Sequence, residues 1–161
     1  MPLIKYQRFL NLILFFCIFA LISAYFIQYI LGHQPCNLCL IERAPYISAV
    51  AIILLCFYFK KFEKICLIFL SVTFFVATML SFYHFGIEQG FIKESLVCDL
   101  DVEEKIYNRD ELLKKLKEKT VSCKDVTFKI FGLSLATINI IISLTLSIIT
   151  MKHFLNYEKN R

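Results

Sequence analysis

At 161 residues the chain suits one domain. With 58% hydrophobic residues, 17 of them Phe, and a mean hydropathy of +0.67, it carries more apolar surface than a soluble protein of this size can bury. Charged residues make up only 19%, and the +5 net charge lies at segment ends and along one polar stretch rather than in one patch, which argues against a nucleic-acid partner.

Four apolar segments follow in chain order, at about residues 9–31, 45–59, 65–85 and 130–151. A helix needs about 20 apolar residues to cross a hydrocarbon core about 30 Å thick. The first segment is broken only by Asn11, Ser23 and Gln28. It is too long for the apolar region of a signal peptide, and no small-x-small cleavage pattern follows it, so it is expected to be a retained helix. The second segment spans fully only if residues 38–44 join its helix, which brings Glu42 and Arg43 to or inside the interface. Residues 32–44 form a short loop, 60–64 a tight turn, and 86–129 a long polar loop. The expected fold is an all-α membrane protein: a four-transmembrane-helix bundle forming a single integral membrane domain over residues 1–161.

An even number of spans puts both termini on the side of the 60–64 turn. That side carries Lys5, Arg8, Lys60, Lys61, Lys64, Lys152, Lys159 and Arg161 within a few short stretches. The opposite side carries Arg43 and nine more basic residues, spread over a much longer loop. Lys and Arg density therefore favours termini inside, although the raw count does not.

Four of the seven cysteines, Cys36, Cys39, Cys98 and Cys123, fall in the two outer loops. Cys17, Cys56 and Cys66 lie within spans, where Cys reads as a small apolar residue for packing or for facing lipid. Cys36-Asn37-Leu38-Cys39 is a C-x-x-C pair, a spacing that lets two sulfurs meet in one helical turn and that tends to favour a thiolate. Taken alone it also fits half of a zinc site. Arg43, four residues after Cys39, shares its helical face and suits either a thiolate and a polar cofactor head or a side chain snorkelling to water. Cys98 and Cys123 bracket 24 residues, a spacing compatible with a structural staple worth about 3 kcal/mol or with an exchangeable disulfide. Between them, residues 110–119 read as a Leu-faced, Lys-rich helix, either lying on the membrane or solvated. His84 ends the third span and is either functional or merely interfacial. A haem reading fails, because Cys39 is followed by Leu40 rather than His.

These residues resemble the bacterial disulfide bond formation protein B (DsbB) family of thiol:quinone oxidoreductases. Three stretches carry the resemblance: residues 35–43 (Pro-Cys-Asn-Leu-Cys-Leu-Ile-Glu-Arg), residues 83–90 (Tyr-His-Phe-Gly-Ile-Glu-Gln-Gly), and residues 123–136 leading into the last span. Members often carry Trp five residues after the last cysteine, where this chain has Phe128. The resemblance implies a protein of the bacterial inner membrane with cytoplasmic termini and periplasmic redox loops. It further implies that a periplasmic thioredoxin-like thiol oxidase of the DsbA type attacks a Cys98–Cys123 disulfide at Cys98. Cys123 then attacks Cys36, and Cys39 passes the electrons to a bound ubiquinone or menaquinone. Arg43 would hold the quinone head, with His84 in the pocket, and no metal is implied. Three other readings compete with it. A vitamin K epoxide reductase-like enzyme has its loop cysteines before its C-x-x-C, the reverse of the order here. A non-enzymatic membrane protein could instead hold zinc on the four outer cysteines. A non-catalytic scaffold stapled by two disulfides is weak, because a C-x-x-C disulfide closes almost no loop.

Overall fold

The computed structural model describes residues 2–59, 63–93, 98, 123–124, 129–130 and 132–159. The 110–119 helix expected from the sequence, and Phe128, lie outside these residues. Five helices and a small hairpin make up the described part. They are α1 (Pro2–Tyr29), α2 (Asn37–Ile41), α3 (Ala44–Tyr58), α4 (Glu63–Glu88), β1 (Lys129–Ile130), β2 (Leu133–Ser134) and α5 (Leu135–Lys159). Four stretches, Tyr6–Tyr29, Asn37–Tyr58, Glu63–Glu88 and Leu135–Asn156, are long and apolar enough to cross a membrane. The protein is an all-α four-helix membrane bundle.

The second of these stretches is α2 and α3 run together with a break at Glu42 and Arg43. Pro45 explains the break. It has no N–H to donate, and its ring crowds the carbonyl four residues back, at Ile41. At the other end of the chain, the last helix begins at Leu135 rather than near residue 130. The residues before it pair as an antiparallel hairpin, Lys129 with Ser134 and Ile130 with Leu133. Gly132, at φ 83°, takes a left-handed conformation in that turn that a side chain would strain.

The helices pack α1 on α3, α3 on α4, and α4 on α5. Leu10, Ile13 and Cys17 of α1 follow a helical repeat and are buried against Ala49 and Ile53 of α3 and Leu67, Leu70 and Phe74 of α4. Large side chains such as Phe15, Phe69, Phe82 and Ile148 face outward, as lipid allows. The α4–α5 seam is built differently. Ser71 and Ser147 each donate to the other's backbone carbonyl, and the Thr78 hydroxyl donates to Ser143 at 3.0 Å. Lipid tails are as apolar as Leu, so helices in a bilayer gain little from burying apolar area; small residues and interhelical hydrogen bonds hold them together instead.

Cys56 and Cys66 are joined as a disulfide linking the end of α3 to the start of α4. Neither faces lipid: both are buried, as is Cys17, which is a free thiol. The reading of Cys56 and Cys66 as packing filler is therefore corrected. The two helix ends turn them toward each other across a short connection.

Candidate active site

The site sits at the end of the bundle away from the termini, where α2 is broken from α3. Cys36 caps the N-terminus of α2, and its Sγ accepts the Cys39 backbone N–H at 3.2 Å. That contact fixes the sulfur at the first turn of α2. Cys36 and Cys39 form one disulfide, and Cys98 and Cys123 form another. Both belong to one buried cluster, with Leu38 and Ile87 between them and Cys39 and Tyr83 packed alongside. The four sulfurs are thus used in pairs.

The Pro45 break turns Glu42 inward and Arg43 toward a neighbouring helix. Glu42 is buried with both carboxylate oxygens engaged. Oε1 lies 2.9 Å from His84 Nδ1, and Oε2 accepts Asn139 Nδ2 at 3.0 Å. Asn139 also donates to Ser81 Oγ at 2.7 Å and accepts the Tyr46 hydroxyl proton, so one side chain of α5 ties α2, α3 and α4 together. His84 turns its other nitrogen, Nε2, toward Cys36 Sγ at 3.6 Å. Arg43 Nη1 donates to Gln28 Oε1 at 2.7 Å, and its guanidinium stacks 4.9 Å over the Tyr25 ring.

These groups close the polar end of a cavity of about 410 Å³. Its walls are apolar and come mainly from α1 (Phe16, Phe19, Ile27) and α5 (Leu135, Ile138, Ile142). Phe19 and Leu135 are also exposed on the outer surface, so the cavity opens where the bundle meets lipid. A pocket of this volume, apolar with a few convergent polar groups, has the build of a small-molecule site. Of the residues singled out in the sequence, Cys36, Cys39, Arg43, His84 and Cys123 line it; Cys98 does not, and stands behind Cys123 in the cluster. Glu42, Glu88, Asn139, Tyr46 and Gln28 were not assigned in the sequence reading. The signal available for them is that each is polar or ionisable within an otherwise apolar span.

A profile of the family described as "Disulfide bond formation protein DsbB" matches residues 6–152. The chain belongs to this family. Thiol:quinone oxidoreduction is the activity known for DsbB proteins, so this DsbB-family chain is a membrane oxidoreductase of disulfide formation. The vitamin K epoxide reductase-like alternative falls with this assignment. The DsbB-family chain is also similar to "Uncharacterized protein RP370" of Rickettsia prowazekii (strain Madrid E). The two are 31% identical over 150 residues, covering 90% of this chain and 87% of the relative.

Proposed function

We propose that this protein reoxidises a periplasmic thioredoxin-like thiol oxidase of the DsbA type and passes the electrons to a membrane quinone, ubiquinone or menaquinone. The supporting observation is the meeting of both cystines at one apolar cavity that opens to lipid. In this reading the protein lies in the bacterial inner membrane, with cytoplasmic termini and periplasmic redox loops.

The partner's thiolate attacks Cys98, and Cys123 leaves. Cys98 is only 7% exposed, so the attack follows local opening of its surroundings. Cys123 is packed in the same cluster as Cys36 and attacks it next, releasing Cys39 as a thiolate on the cavity wall. Each exchange runs through a mixed disulfide, with a thiolate as the attacking species. His84, fixed by Glu42, holds or moves a proton at Nε2 beside Cys36. The residues present fit a quinone: apolar walls suit its ring and tail, and Arg43 suits a carbonyl oxygen of its head. When bound, it supplies a two-electron acceptor. An acceptor of higher potential is required, because a DsbA-type oxidase stands near about −120 mV.

The test uses purified, fully reduced, metal-free protein in detergent, mixed with ubiquinone or menaquinone. Quinone reduction should keep step with the loss of free thiols and should be abolished in Cys36→Ala and in Cys39→Ala. Full activity in either variant, or no quinone reduction by the native chain, sinks the reading.

A further inference from the structure

Glu88 has no part in the mechanism above. It stands one helical turn beyond His84, with 6% of its side chain exposed, and it forms part of the cavity wall. Its Oε1 lies 3.8 Å from His84 Nε2, the same nitrogen that faces Cys36 Sγ at 3.6 Å. Its Oε2 is buried and has no hydrogen-bond partner among the described residues. Glu42 presents the opposite case, with both oxygens satisfied. A buried acceptor without a donor is costly, and a buried carboxylate beside another negative group more so.

Reduction of the Cys36–Cys39 disulfide makes the difficulty worse. The other titratable or charged groups around the cavity are Glu42, His84, Arg43, His33, Tyr46 and Cys123. Arg43 is turned toward Gln28 and Tyr25 on α1. A new thiolate would therefore add negative charge to a region that already holds the acidic side chains of Glu42 and Glu88. A proton on the unused oxygen of Glu88 offsets that charge and turns an unsatisfied acceptor into a donor.

We propose that Glu88 stores a proton in step with the redox state of the neighbouring cysteine pair: it takes the proton up when the Cys36–Cys39 disulfide is reduced and releases it toward the electron acceptor when the disulfide re-forms. On reduction the S–S bond breaks, and two electrons and two protons enter. Cys36 keeps one proton as a thiol beside His84. Cys39 carries the negative charge, and the second proton sits on Glu88. On reoxidation the S–S bond forms and the two electrons leave. The Cys36 proton passes to His84 Nε2, and this proton and the one on Glu88 follow the electrons to the quinone, giving a quinol. The proposal rests on the reading above for the identity of the acceptor, but not for the proton at Glu88.

Redox-difference infrared spectroscopy of the full chain in detergent, reduced by a phosphine, separates the two. Reduction should raise a protonated-carboxyl C=O band that shifts in D₂O and is missing in Glu88→Gln. Absence of the band in the native chain, or its persistence in Glu88→Gln, overturns the proposal. With a soluble quinone, Glu88→Gln should lower kcat about a hundredfold or more, the lower end of general acid–base effects. KM should stay within about twofold, and Glu88→Asp should recover part of the rate. Native kcat in Glu88→Gln also overturns it. Alkylation mapping of the Cys36–Cys39 disulfide in both variants shows that the fold is kept. If the native chain reduces no quinone, the acceptor assignment fails while the infrared band still decides the role of Glu88.

Discussion

Arg43 is gripped from one side by two residues of α1: Gln28 accepts its Nη1 proton, and the Tyr25 ring lies flat beneath the guanidinium. A guanidinium has five N–H donors in a fixed fork, so a head held this way keeps donors to spare for a ligand oxygen. We predict that Arg43→Ala raises KM for a soluble quinone about tenfold or more, the loss expected for one charged hydrogen bond. KM for the protein partner should change much less. Gln28→Leu should shift quinone KM in the same direction and by less, because it loosens the grip without removing the charge. Steady-state kinetics with each substrate varied in turn checks both. An unchanged quinone KM in Arg43→Ala would make Arg43 an interfacial cation serving only water.

The helices themselves were legible in the sequence because a bilayer tolerates only long apolar runs with every backbone group satisfied. Their junctions were less so. The α2–α3 break needs both the proline effect and the burial of Glu42, and the hairpin before α5 reads as apolar sequence continuous with the last span. The cysteine pairs, Arg43 and His84 stand out by residue type. Glu42, Glu88 and Asn139 do not, because their roles depend on which helix neighbours which, and one sequence does not fix that. The same limit hid the Cys56–Cys66 disulfide, since a cysteine inside an apolar run has the pattern of any small hydrophobe. It also hid the polar α4–α5 seam, because a serine facing a helix and a serine facing lipid look alike in sequence. The seam carries its own prediction. Ser147→Leu forces a larger side chain between α4 and α5 and should cost about 1–3 kcal/mol of stability. Leu54→Ala, on the lipid side of α3, should change it by less than about 0.5 kcal/mol. Unfolding in mixed micelles measures both, and equal effects would mean that the seam is not a tight contact.

On the scale of the whole molecule, the two ends of the bundle do different work. The end near the termini is fastened by the Cys56–Cys66 disulfide, the Tyr6 hydroxyl donating to the Glu63 carbonyl, and Phe9 stacked on His153 at 3.8 Å. The far end holds the cavity and the two outer cystines. The joint variant Cys56→Ala/Cys66→Ala should therefore lose stability, by up to about 3 kcal/mol on the loop-closure estimate. It should keep the native rate of thiol oxidation by quinone. Thermal unfolding and the quinone assay on the same preparation check the pair of outcomes, and a large loss of rate would tie the two ends together. The cavity walls also have a place in time. They come mainly from α1 and α5, and α1 leaves the ribosome well before α5. A nascent chain that ends before Leu135 already carries all four outer cysteines, yet it lacks the cavity wall that α5 supplies and the Asn139 side chain that fixes Glu42. In the proposed mechanism, electron flow out of the thiols thus waits for α5 to dock, and the growing chain holds its four outer sulfurs away from a finished quinone pocket until then.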